Sequence, residues 1–371
     1  MRSILTVVTL IIAGFCGWLF IDVPLDAETK QWLEPPERFD YDQDLLGRLA
    51  ARAEELPQQW DELKLKCLSD QIDQTCIDWV VNNPRAASEA IPDDTFFALY
   101  DAALAEKRID THATVDSTNL GGALIVATKM VVMRDVVSHG RVLPQTIARL
   151  LPQHRRYLAQ ADGLVDWMVF AGTIAIIEAA AANAVQSMRH DEPDLLEILA
   201  PFTAAELDAH NVFRGVFRFT AAGTEFTETG FSGWGAKPNF FLNMQRKHIQ
   251  KMVEASRLSR GRFWQTKFVP YEVTFGDRAV GGLLSWFPFG VGDYAYYSYV
   301  TSIRSLDVRL ALVRGLAVQD LPPAPTAWRW QRSESSLCLI PDSNNVVARN
   351  RGSAFELCAS VTGLSSTAVI P

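Results

Sequence analysis

Apolar residues recur at three- and four-residue intervals through the middle of the chain, a spacing that predicts a mainly α-helical protein. Leu45, Leu46, Leu49, Ala53 and Leu56 form one stripe, broken by Pro57. Asp93 or Asp94 is placed to cap a helix whose inner face holds Phe96, Phe97, Tyr100, Ala103 and Leu104. A longer apolar helix runs over residues 120–137 and closes at Gly140, and Ile147, Leu150, Leu151, His154 and Leu158 mark the next one. Thr203 and Glu206 have the spacing of a capping box, with Phe202 and Leu207 at the two staple positions. Glu206 therefore reads as a capping residue rather than a catalytic one. Pro238 suits the first turn of a helix with Phe241, Met244, Ile249 and Met252 inward, and Leu306, Leu310 and Val313 share a face over residues 304–316.

Two runs are apolar enough to enter a bilayer. Residues 4–21 carry no charge, and 18 residues at about 1.5 Å each span about 27 Å, close to a hydrocarbon core. Arg2 precedes this run and Trp18 lies near its far end, which predicts a cytoplasmic N-terminus and an exported remainder. Small residues at A-x-A spacing are lacking near its end, and Phe15 is a poor neighbour for lipid attachment at Cys16, so a retained anchor is expected rather than a cleaved signal. Residues 164–185 form the second run, but Asp166 and Glu178 lie within it. A carboxylate placed centrally costs about 2.5–3.5 kcal/mol. With Ala175, Ala179 to Ala182 and Ala184 it reads as a core helix able to approach its neighbours closely, a second span being the alternative.

Charge and cysteine usage refine this frame. The net charge is −8, yet residues 22–110 carry −12 and residues 111–371 carry +3. An acidic section that docks on a more basic one, or that faces a cationic partner, is implied. Apart from Cys16, the cysteines are Cys67, Cys76, Cys338 and Cys358, an even set whose close spacings favour Cys67–Cys76 and Cys338–Cys358 bridges. The expected organisation is an anchor over residues 1–21, an acidic, proline-containing extended stalk over 22–44, and a helical domain over 45–320. A short linker and small β appendage follow over 321–371, its strands 336–340 and 355–361 flanking a turn.

Chemistry is sparsely signalled. His112, His139, His154, His190, His210 and His248 fall into no compact metal-ligand pattern, and nucleophile-elbow and phosphate-cradle motifs are absent, so neither a metal nor a cofactor is expected. The Gly/Thr-rich stretch 221–236 reads as a long loop. Its Glu225 and Glu228, with Trp234 beside them, have the composition of a sugar site with paired carboxylates, although a loop covered by its own aromatics is the plainer reading. From Trp286 to Tyr299 seven aromatics crowd fourteen residues. Trp286, Phe289 and Tyr296 would line a groove or a binding surface, or the Tyr-rich part forms a half-buried strand. Lys247 and Lys251 belong to a basic helix for which acidic residues of the same chain are the default partner; nucleic acid is not expected outside the cytoplasm.

Two readings follow. In the first, the chain is a non-enzymatic, single-pass protein of a bacterial-type inner membrane, its bulk periplasmic, acting as scaffold or accessory subunit for another membrane or periplasmic protein. In the second, it is an envelope enzyme acting on glycan through Glu225 and Glu228.

Overall fold

The computed structural model describes residues 10–11, 23–35, 43–56, 79–80, 82–109, 117–187, 193–225, 238–275, 277, 293–318, 320–333, 336–347 and 357–360. The expected anchor lies outside these apart from Leu10 and Ile11, as do Cys67 and Cys76. Two compact units divide the chain. The first takes in Met1–Arg38, Ala209–Ser256 and Phe268–Val300, and the second Phe39–Asp208, Arg257–Lys267 and Thr301–Pro371.

The second unit is built on α2 (Gln43–Glu54), α3 (Pro84–Ala90), α4 (Asp94–Ala105), α5 (Ser117–His139), α6 (Pro144–Gln160) and α7 (Leu164–Ser187). α7 packs on both α5 and α6, while α2 packs on α5 and α4. Leu45, Leu46 and Leu49 turn inward from α2, and Asp93 caps α4 by accepting the Phe96 N–H, as the stripe and the cap residue predict. α6 starts at Pro144 and buries Ile147, Leu150, Leu151, His154 and Leu158, and α5 ends before Gly140 at φ +70°. α7 is long and apolar enough to cross a membrane, yet most of it is buried within the protein. Its small residues explain the fit. Ala179 to Ala182 are all buried, and a Cβ added at Gly121 of α5 would sit 2.6 Å from Val169 Cγ2. Trp167 and Phe170 are fully buried on the same helix, each stabilising the fold by about 1.5–3 kcal/mol.

α8 (Pro193–Ile198) and α9 (Ala204–Leu207) pack on α6, and the Thr203–Glu206 capping box is formed. α12 (Arg260–Gln265) precedes the long helix α13 (Asp293–Ala317), of which residues from Thr301 onward belong to this unit. An antiparallel sheet follows in the order β1 (Trp328–Arg332), β2 (Ser336–Pro341) and β3 (Leu357–Ser360). Cys338 lies directly opposite Cys358 in the β2–β3 register, and the two are joined by a disulfide. The ring of Trp330 closes on Gly315, where a Cβ would approach Trp330 Cη2 to 2.7 Å, so glycine lets β1 pack on α13.

The first unit contains α1 (Ala27–Leu33), α10 (His210–Glu225), α11 (Pro238–Ser256) and the start of α13. α10 and α11 pack together, and α1 lies on both. Three readings are corrected here. An extended stalk was expected over residues 22–44, but residues 27–33 are helical because Asp26 accepts the Thr29 N–H at 2.6 Å and Trp32 buries itself against His210 and Phe217. The Tyr-rich stretch is the first part of α13 from Asp293, not a strand, with Tyr296 set edge-on to Phe213 at 6.0 Å. On α11 the inward ring is Phe240, at 3% exposure, while Phe241 is 36% exposed. Met244, Ile249 and Met252 are buried as the stripe requires.

Candidate functional site

Of the residues nominated from sequence, few are brought together. Glu225 is the last residue of α10, and Glu228, Trp234, Trp286 and Phe289 lie outside the described residues. Tyr296 is half-buried on Phe213, and burial raises its hydroxyl pKa. Lys251 pairs with Glu254 one turn on, at 2.8 Å. Lys247 alone sits in a structured cluster. Its Nζ lies 2.7 Å from Asp277 Oδ1, and the Tyr271 hydroxyl donates to Asp277 Oδ2 at 2.7 Å. Thr274 adds its N–H at 2.9 Å and its hydroxyl at 2.6 Å. Partial burial alone would raise the Asp277 carboxyl, but these donors outweigh it and hold the group far below the usual carboxylate range. The His248 ring meets Tyr271 edge-on at 5.3 Å, fixing the same loop from the next residue of α11.

Chain entry to the first unit is held by the same helix. Asn243 donates to Pro24 O and accepts from Asp26 N, both at 3.1 Å. Arg246 reaches Asp26 at 3.4 Å, Glu28, and the Thr29 hydroxyl. From α10, Arg214 donates to the carbonyls of Gln31 and Glu34, and Arg218 to that of Glu34. These bonds stop the exposed carbonyls at the end of α1 from going unmet and fix the segment along its length. The basic residues thus bind acids and carbonyls of their own unit.

A different polar centre is sealed inside the second unit. Tyr100 OH lies 2.7 Å from Thr128 Oγ1 and 2.9 Å from His154 Nε2, while His154 Nδ1 lies 2.9 Å from Thr173 Oγ1. Thr128 and Thr173 also reach the carbonyls of Leu124 and Phe170 at 2.8 and 2.9 Å. With neutral His154, four hydrogens serve these five contacts. A fifth, on the imidazole, would fill the last, but a hydrogen bond returns about 0.5–1.5 kcal/mol against several for burying an ion. Burial wins, and the imidazole pKa falls to about 3.

Beside this centre the next residue on α6, Arg155, forks onto Glu206 at 2.6 and 2.8 Å and bonds the carbonyls of Ala200 and Pro201. Its guanidinium also lies over the Phe202 ring, 4.7 Å from the centroid. Burial would raise the Glu206 carboxyl, yet Arg155 and Thr203 hold it below its usual range. Asp307 accepts the Phe202 N–H at 2.7 Å and binds Arg260. Glu178 is the exception. Among the described residues its two buried oxygens meet no hydrogen-bond donor, and burial raises its pKa well above the ordinary value despite the nearby Arg309 charge. Sequence spacing gave no sign of this group of charges, because its partners lie tens of residues apart.

Among the described residues, no group of three or more His, Cys, Asp or Glu side chains converges as a metal ion would require. The polar centre of the second unit holds protons in a sealed interior, and the ion-paired strip of the first unit holds chain. No family model, no characterised protein and no solved structure matches this chain.

Proposed function

We propose that the protein is a single-pass membrane protein whose folded part lies outside the cytoplasm and serves, without catalysis, as scaffold or accessory subunit for another membrane or periplasmic protein. The observation that carries this reading is the fixation of the chain directly behind the apolar run. Asn243 holds Pro24, and Arg246, Arg214 and Arg218 hold the next ten residues, so an anchor over residues 4–21 connects to a folded unit without a free tether. The Cys338–Cys358 disulfide supports an oxidising compartment. Polar side chains in both units are engaged in holding structure, which favours a binding role over a reaction. Glu225 ends α10 and Glu228 lies outside the described residues, so nothing advances the glycan reading.

The partner is tested by crosslinking in intact cells followed by affinity purification of the full chain. Trp286→Ala with Phe289→Ala should reduce partner recovery while folding is retained, as judged by circular dichroism. Tyr296 is left intact because it packs on Phe213 and its loss would disturb the first unit itself. Undiminished recovery of the same partner would remove the aromatic stretch as its binding surface.

A further inference from the structure

Two attachments of the first unit coincide along one stripe of α11. Asn243 and Lys247 are four residues apart, so their side chains stand about 5–6 Å apart on one helix face. Asn243 carries Pro24, the point where the chain arrives from the apolar run, and Lys247 carries Asp277, the point that pins the loop 268–277. That loop holds out two apolar side chains, Val269 at 60% and Phe275 at 84% exposure. Phe275 is not exposed on a loose strand. The Thr274 N–H and hydroxyl, the Tyr271 hydroxyl and Lys247 all bind Asp277, two residues beyond it.

We infer that this face of the first unit rests on the lipid bilayer, with Phe275 and Val269 set into the interfacial layer beside the chain's point of entry. The inference rests on the anchored reading above and adds where the folded unit sits. Reach decides the occupant. From Ile21, the last apolar residue of the run, to Pro24 is three residues, about 10 Å at full extension. The headgroup layer on each side of a bilayer is itself roughly 5–8 Å thick. An anchor with so short a connection brings Pro24 down to the lipid surface, and Asn243 brings the Phe275 loop with it. Aromatic and aliphatic side chains are stabilised at that depth, where their apolar surface leaves water without crossing the membrane. A protein partner would have to enter a gap that the connection leaves too narrow for it.

The test uses the full chain in liposomes of phosphatidylethanolamine and phosphatidylglycerol, with a benzophenone amino acid introduced at one position at a time. Position 275 or 269 is compared with position 211, exposed on α10 at the end where the Ala209 N–H bonds Ser256, about 20 Å along α11 from Asn243. After illumination, lipid adducts should form several-fold more at 275 and 269 than at 211. Equal yields at 275 and 211, or adducts at 275 that are protein rather than lipid, overturn the inference. Alkaline carbonate extraction of the same samples separates the two levels. A chain released by carbonate refutes the anchor itself, while a retained chain with no preference for lipid at 275 refutes only the docked face.

Discussion

In the second unit Tyr100, His154 and Thr173 bond to one another where water does not reach, whereas in the first unit Arg214, Arg218 and Asn243 hold the incoming chain from Pro24 to Glu34 at the surface. The difference lies in what each polar group would lose. A buried group left without its partner forfeits its full solvation, while a surface group falls back on water. Polar residues in the second unit therefore define one interior arrangement, and those in the first define an attachment that can be weakened without unfolding the rest. Substitutions of similar chemistry should have unequal consequences in the two.

The largest contrast is between two arginines. Arg155→Ala leaves the largely buried Glu206 carboxylate with only its Thr203 bond and strands two carbonyls, and should cost the second unit about 3 kcal/mol in urea unfolding. Arg214→Ala leaves the carbonyls of Gln31 and Glu34 and the 69% exposed Glu34 carboxylate to water, and should cost about 1 kcal/mol. Comparable losses would break the distinction. Reduction of Cys338–Cys358 is the next effect. It frees a loop closed across 20 residues and should cost about 3 kcal/mol, seen as a lower unfolding midpoint with reductant.

The dependence of stability on pH sharpens the contrast further. His154 is neutral in the fold with its pKa near 3, so its contribution is complete above the unfolded value of 6.5 and is lost as pH falls toward 3. Glu178 has its pKa raised above 4.5, so its contribution is complete below 4.5 and is lost as pH rises through its folded value. Each group contributes a slope of about 1.4 kcal/mol per pH unit within its window. His154→Gln should flatten the profile below pH 6.5, and Glu178→Gln the fall that begins above pH 4.5. An unchanged profile in both would mean that these groups meet water. The smallest effect belongs to the first unit. Asn243→Ala removes two bonds to the entering chain and should cost about 1 kcal/mol, read as faster hydrogen exchange at residues 26–33 with the second unit unaffected.

The sequence made local features legible and long-range ones not. The leucine stripe of α2, the Asp93 cap and the Thr203–Glu206 box depend on residues within a turn of one another, and each stands where spacing put it. The Cys338–Cys358 pair was accessible from separation alone. Arg155 and Glu206, however, are 51 residues apart, and Glu206 looked complete as a capping residue before its second partner was seen. The Tyr-rich stretch favoured a strand by composition, but packing such as Tyr296 on Phe213 overrides that preference within α13. Prolines and acids around residues 22–44 concealed α1, whose stability comes from Trp32 and from arginines nearly two hundred residues away.

The central claim is that the chain crosses the membrane once and that α7, apolar as it is, remains inside the folded protein. A full-length chain fused at its C-terminus to alkaline phosphatase tests this most directly, because that enzyme gains its disulfides and activity only outside the cytoplasm. The account predicts an active fusion that remains with the membrane on carbonate extraction. An inactive fusion would place the C-terminus in the cytoplasm, contradicting both the single span and the assignment of α7 to the core.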